Sequence, residues 1–384
     1  MLDVELFAGG GGLAIGLREA GFRPSTLYER DVSCCKTLRF NLKSSTPTLE
    51  GTVVEDDVST IRWGDIEQEV RLLAAGAPCQ PFSLGGKHRA EKDGRNLFPQ
   101  VMKAIRVLKP RGILVENVRG LLRTKFQPYF EYIMRQLKTP AIAPHSDETW
   151  DEHDARLRKH HCSSTYEPEY DVDFRMVDAA NFGIPQNRHR VFIVGTRIDL
   201  PVYEFPKRTH SQAALVRVQK LGEYWDRHKI LPSLKHDVDI HNDGLLPWVT
   251  VRDAFKGLPL PSRDEDSSEM NHWRIPGARS YAGHAGSILD WTSKTIKAGV
   301  HGVPGGENTV IDANGVFRYY TLRETARIQT FPDTHYFEGA RIHVTKQIGN
   351  AVPSRLAAII AKPLFDIIGK ETTGVTNYAG RKPS

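Results

Sequence analysis

Cysteine is scarce in this chain, with four in 384 residues: Cys34, Cys35, Cys79 and Cys162. So few build no disulfide framework, and no CxxC pair suggests a zinc site, so each reads as a free thiol. Long apolar runs are missing as well, and none approaches the ~18 residues of a membrane span. The opening MLDVELFAGG lacks the basic segment and apolar core of a secretion signal. These absences point to a cytoplasmic protein with no membrane partner. No internal repeat is visible. The triplet His160, His161, Cys162 is a poor metal site, because adjacent residues seldom point at one ion, and no metal is expected.

What is present is the composition of a folded globular chain, with 40% apolar, 9% aromatic and 26% charged residues. Lys and Arg outnumber Asp and Glu by 52 to 46, a net charge of +6 that suits a polyanionic partner without requiring one. Apolar segments at 4–7, 26–29, 72–77, 113–117 and 191–195 read as strands. Between them, Leu97, Val101, Ile105 and Leu108 recur at helical spacing, as do Phe126, Phe130, Ile133, Met134 and Leu137. Alternation of this kind predicts an α/β fold, a doubly wound and mostly parallel sheet. After residue 200 periodicity fades into scattered Pro, Gly, Trp and His, which predicts a second, smaller, loop-rich domain. Helical spacing returns at 321–329 and 353–368, and the last helix is expected to rejoin the sheet. Residues 262–269 read as an exposed loop and the tail as frayed.

Chemistry concentrates at three places. VELFAGGGG runs from a strand into four glycines and then a helix, a turn that lets a ligand approach backbone amides. Glu29 ends the next strand, where a carboxylate can take both hydroxyls of a ribose, and Asp57 follows the third strand, where it could accept from an adenine amino group. Neither distinguishes a dinucleotide from S-adenosylmethionine. In APCQPFS, Cys79 follows Pro78 at the carboxyl end of a strand, the edge at which open α/β sheets place ligands and chemistry, so a nucleophile is favoured over a core thiol. Its glycine-rich, charged continuation reads as a surface loop that moves.

FAGGGG, PCQPFS, ENV (116–118), QNRHR (186–190), RETARIQTFPD (323–333) and QIGNAVP (347–353) stand in the order found in the DNA (cytosine-5) methyltransferase family. The chain resembles that family along nearly its whole length. The resemblance implies a Rossmann-like, S-adenosylmethionine-dependent methyltransferase with a catalytic and cofactor-binding domain at 1–200, completed by 342–384, and a target-recognition domain at 201–341. It implies that Cys79 adds to carbon 6 of cytosine, that Glu116 contacts ring nitrogen 3 and the exocyclic amine, and that Arg190 reaches the carbonyl oxygen with Arg188 beside it. Alternate residues of an extended segment point the same way, so both arginines can face one site. For the cofactor, the resemblance implies Phe7 stacking on adenine, Gly9 and Gly11 lining the methionine, and Glu29, Asp57, Val58, Pro78 and Asn350 completing the pocket. For DNA, it implies Ser83, Gly85, Lys87 and Arg95 in the mobile loop, with Gln186 and Thr295. The base must be swung out of the duplex, because carbon 6 is stacked inside it.

Double-stranded DNA is therefore the expected partner of a monomer, and whether a restriction endonuclease acts on the same site is left open. Glu5 stands where many members carry Asp, and Arg30 where an apolar residue often stacks on adenine. The stretch between Glu116 and Gln186 exceeds that of compact members, so 139–170 reads as an insertion. A transfer RNA methyltransferase would keep every catalytic motif, but its Cys-Phe-Thr signature is absent. An inactive DNA-binding relative would not need the intact Cys79, Glu116 and QNRHR, and a dehydrogenase has no use for this cysteine set.

Overall fold

A computed structural model describes residues 1–44, 48–77, 97–163, 167–234, 242–261, 270–280, 285–299 and 308–369. The expectations for 262–269 and for the tail from 370 fall outside the described residues.

Seven strands form the main sheet: β1 (Leu2–Leu6), β2 (Pro24–Glu29), β3 (Thr52–Glu55), β4 (Val70–Gly76), β5 (Gly112–Val118), β6 (Tyr170–Asp178) and β7 (His189–Arg197). Their order is β3-β2-β1-β4-β5-β7-β6. Pairing is parallel from β3 through β5, and β7 runs antiparallel to both β5 and β6. β4 and β5 lie inside the sheet under helices on both faces, which is why RLLAAG and ILVEN carry little alternation. β6 is an edge strand with Phe174 and Met176 exposed, so it lacks the apolar signature that marked the others.

Helix α1 (Gly12–Ala20) follows β1, α2 (Val32–Lys43) follows β2, α3 (Phe98–Leu108) follows β4, and α4 (Gln127–Lys138) and α5 (Trp150–His161) follow β5. α3 and α4 cover one face, where Val101, Ile105, Phe130, Ile133 and Leu137 meet Val4, Leu73, Val115 and Ile193. Three short helices, α6 (Gln212–Lys220), α7 (Glu223–His228) and α8 (Val251–Ala254), and the two-residue strands β8 (His210–Ser211) and β9 (Leu246–Pro247) come next. A small sheet of β10 (Ser287–Ile288), β11 (Thr309–Ile311) and β12 (Phe317–Tyr319) precedes α9 (Leu322–Ile328), α10 (Arg341–Asn350) and α11 (Ser354–Ile368). This second region has cores of its own, one around Leu215, Tyr224, Trp225 and Trp248 and another around Val251, Ile296, Val310 and Tyr320.

α11 returns to the first region and covers the other face with α1, burying Leu356, Ile360 and Leu364 against Leu13, Leu17, Leu72 and Leu114. The two helices touch backbone to backbone. A Cβ on Gly16 would lie 2.3 Å from the Ser354 carbonyl oxygen and 2.5 Å from the Ala357 Cβ. Gly16→Ala is therefore expected to lose about 1–3 kcal/mol by overpacking, read as a lower midpoint in urea denaturation. Residues 322–337 fall in the recognition domain by sequence, yet they pack in the first region. Leu322, Ala326, Phe331 and Phe337 share a core with Ala14, Ile15, Leu27 and Leu38 of β2, α1 and α2.

The stretch 139–170, read above as an insertion, contributes α5, opened by a capping box in which Thr149 and Glu152 bond each other's backbone N–H groups. α5 lies along α4 through His153 Nδ1 to the Tyr132 hydroxyl (2.8 Å), Arg135 to Asp154 (2.7 Å) and His161 Nε2 to Thr139 Oγ1 (3.0 Å). The insertion finishes at the Gly112 end of β5, where the Glu169 N–H bonds the Lys138 carbonyl and the Tyr170 hydroxyl bonds the Pro110 carbonyl. That end is opposite the one bearing Glu116.

Candidate active site

Strand order reverses between β1 and β4, and open α/β sheets bind ligands at the carboxyl ends of strands flanking such a reversal. The glycine loop leaves β1 there. Phe7 has φ 60°, an unusual conformation for a bulky residue that marks a functional turn. Gly9 and Gly11 are also left-handed, at φ 54° and 88°, and Gly11 caps α1. The Glu29 carboxylate fixes the loop: Oε2 accepts from the Gly9 N–H at 2.8 Å, and Oε1 accepts from Arg30 and Asp31 at 2.8 Å each. With about four acceptor sites on a carboxylate, Oε2 keeps one open for a further donor.

Asp57 lies beside this loop, since the Asp56 N–H bonds the Glu29 carbonyl. Its carboxylate accepts from the Ser59 N–H (2.9 Å) and from Arg30 (2.8 Å), and these donors, Ser59 first, hold its pKa below the usual range. Val58 is buried in the main core, and Phe7 packs against that core. Asn350, the last residue of α10, is exposed.

Two buried groups around the loop lack partners. Among the described residues, neither the Glu5 oxygens nor Gln347 Oε1 has a hydrogen-bond donor. Burial pushes the Glu5 pKa well up, and the Glu29 charge adds to the rise. A Cβ built on Gly10 would lie 3.5 Å from Gln347 Oε1. Gln347 was not singled out by sequence reasoning, nor was His335. The His335 ring is fully buried, with Nδ1 accepting from Thr48 Oγ1 at 2.8 Å and Nε2–H donating to the Gly10 carbonyl at 3.0 Å. Burial pushes its pKa down to about 3.

A folded-state pKa this far below the unfolded value near 6.5 stabilises the protein above pH 6.5 and loses that contribution as pH falls toward 3. His335→Phe should leave the Gly10 carbonyl unpaired and cost about 1–3 kcal/mol near neutrality, while flattening the acid limb of melting temperature against pH. His335→Gln, which can still donate, should recover part of the neutral loss.

At the end of β5, Glu116 is 7% exposed and Arg190 of β7 donates from Nε to its Oε1 at 2.7 Å. Burial raises the Glu116 pKa, and Arg190 and then Arg188 oppose the rise. Glu116 pairs in register with Gly76, the last residue of β4, so the chain leaves the sheet beside this carboxyl three residues before Cys79. Cys79 itself lies outside the described residues, together with Pro78, Ser83, Gly85, Lys87 and Arg95.

Two of the candidate residues turn their polar groups into the protein. Arg188 stands close enough to Glu116 and Arg190 for the charges to act on one another. It is 0% exposed and donates to the carbonyls of Ile296 (2.9 Å), Gly349 (2.8 Å) and Ala351 (2.9 Å). Gln186, expected at DNA, is likewise 0% exposed, with Nε2 donating to Gln329 Oε1 and Oε1 accepting from the Ile296 N–H. β7 begins at His189, so Gln186 and Arg188 lie in the segment that leads into it, where Arg188 already accepts from the Ala179 N–H. Thr295 Oγ1 donates to the Asn187 carbonyl at 2.6 Å.

Residues 1–140 and 150–366 match the family described as C-5 cytosine-specific DNA methylase. The chain belongs to that family. It is a DNA (cytosine-5) methyltransferase. Among relatives, the methylase is 29% identical over 380 residues to the type II methyltransferase M.PspPI of Psychrobacter sp. (strain TA137), covering 95% of this chain and 79% of that protein. It is 30% identical over 371 residues to the type II methyltransferase M.Eco47II of Escherichia coli, covering 96% and 79%. Its fold is similar to the Dnmt2 methyltransferase of S. pombe, with TM-score 0.55, 15% identity and 95% and 99% of the two chains covered. It is also similar to the methyltransferase EhMeth of Entamoeba histolytica, with TM-score 0.56, 14% identity and coverage of 95% and 98%. Among the described residues of the methylase, no helix is long and apolar enough to cross a membrane.

Proposed function

We propose that the methylase transfers a methyl group from S-adenosylmethionine to carbon 5 of a cytosine swung out of a specific double-stranded DNA sequence, through a transient bond between Cys79 and carbon 6. The observation that carries this reading is the buried Glu116–Arg190 pair, set beside the strand end from which the chain runs on to Cys79. The sulfur brings the electron pair that forms the bond to carbon 6, and carbon 5 becomes nucleophilic. Glu116, with its pKa raised by burial, supplies a proton or hydrogen bond at ring nitrogen 3, where negative charge would otherwise accumulate. Arg190 orients that carboxyl and is near enough to it to meet the adjacent carbonyl oxygen. Loss of the carbon 5 proton and departure of the sulfur restore the ring.

The pocket fits the cofactor on its own chemistry. Gln347 offers a buried acceptor without a donor beside the glycine loop, which a polar group of the ligand can meet. Glu29 keeps an acceptor for a ribose hydroxyl, and Phe7, Gly9, Gly11, Asp57, Val58 and Asn350 belong to the same pocket. S-adenosylmethionine, when bound there, supplies an electrophilic methyl group. The named type II relatives favour a place in a restriction-modification system. We infer a monomeric, cytoplasmic methylase that acts on double-stranded DNA. Bisulfite sequencing of DNA from cells expressing the protein tests the reading: protected cytosines should recur in one short sequence. Protection of transfer RNA with unmodified DNA would overturn it.

A further inference from the structure

We propose that Arg188 is a positioning residue that couples DNA engagement at residues 295–298 to cofactor binding at the end of α10, an inference that rests on the function proposed above. The guanidinium joins elements far apart in sequence. Nη1 donates to Ile296 in the recognition segment, and Nη2 donates to Gly349 and Ala351, on either side of Asn350. Its backbone N–H is itself fixed, by Asp178 Oδ1 at 2.9 Å.

The segment is packed tightly against the end of α10. A Cβ on Gly349 would lie 2.4 Å from the Ala298 N and 2.5 Å from the Lys297 carbonyl carbon, so the turn at the end of α10 rests directly on the backbone of 297–298. Lys297 is held by the Asn308 side chain, which accepts from its N–H at 3.0 Å and donates to its carbonyl at 2.9 Å. The Ile296 N–H bonds Gln186, and Gln329 Nε2 reaches the carbonyls of Ile348 and Ala351 from the other side. A contact that shifts 295–298 must therefore shift 349–351, which flank Asn350 of the cofactor pocket.

A ligand that fixes either end lowers the ordering cost of the other, so the two affinities rise together and by the same factor. Arg188 is suited to this because three carbonyls of two separate segments share one rigid planar fork, which an ammonium could not reproduce. The site is coupled without Arg188 touching either ligand.

The test uses S-adenosylhomocysteine, which has no methyl group to transfer, and a short duplex centred on the sequence found by bisulfite sequencing. Titration calorimetry measures each Kd with and without the other ligand. In the natural protein the coupling should be about tenfold in both directions. Arg188→Lys should reduce it to about threefold or less while each ligand alone binds within about threefold of the natural protein. Asn308→Ala, which frees Lys297 without touching Arg188, should do the same and serves if the arginine variant fails to fold. Coupling near unity in the natural protein overturns the proposal, as does undiminished coupling in either folded variant. A natural protein that binds no S-adenosylhomocysteine and protects no cytosine would instead bring down the proposed function, and the coupling with it.

Discussion

Replacing Cys79 with alanine is expected to reduce methyl transfer by at least about a thousandfold, because no other step can make carbon 5 nucleophilic once the sulfur is gone. The measurement is transfer of a radiolabelled methyl group to duplex DNA. Binding of S-adenosylhomocysteine should stay nearly unchanged, since the sulfur belongs to the cytosine side of the pocket. Duplex DNA carrying 5-fluorocytosine should trap the natural protein as an adduct stable to denaturation, because fluorine cannot leave as the proton does. Cys79→Ala should form none. Appreciable turnover in that variant would remove the nucleophile assignment and leave the Glu116–Arg190 pair without a partner reaction.

Glu116→Gln is the second large effect. The amide can still accept from Arg190, so folding should change little, but it cannot deliver a proton, and kcat should fall by about 10²- to 10⁴-fold. Its pH profile separates the chemical role from a structural one. Burial raises the Glu116 pKa, so its protonated form persists to higher pH than an ordinary glutamic acid, and kcat should decline as pH rises through that value. The glutamine variant should lack that limb. An unchanged profile in the variant would show that another group controls the step.

The sheet was legible in the sequence because its inner strands are buried on both faces and so appear as short apolar runs. β6 was not, since an edge strand whose residues Asp173, Phe174, Arg175 and Met176 are all exposed carries no such run. At the site, the glycine loop and Glu29 could be proposed from their positions at strand ends, and Glu116 from the family resemblance of ENV. Gln186 and Arg188 show the limit of that reasoning: their motif is plain, but their direction depends on backbone carbonyls contributed by residues 296, 349 and 351. His335 was invisible for a related reason, as its two partners, Thr48 and Gly10, come from nearly 300 residues or more away. No local pattern announces such a contact.

The seating of α11 on Gly16 has a consequence for biosynthesis. While the ribosome is still making residues 21–353, the helix that began at Gly12 has no cover for Leu13 and Leu17, and that oily flank stays open to chaperones and proteases. The N-terminal half cannot mature first and wait. A chain that stopped short of α11 would therefore keep that flank exposed, so DNA modification depends on molecules in which α11 has been made.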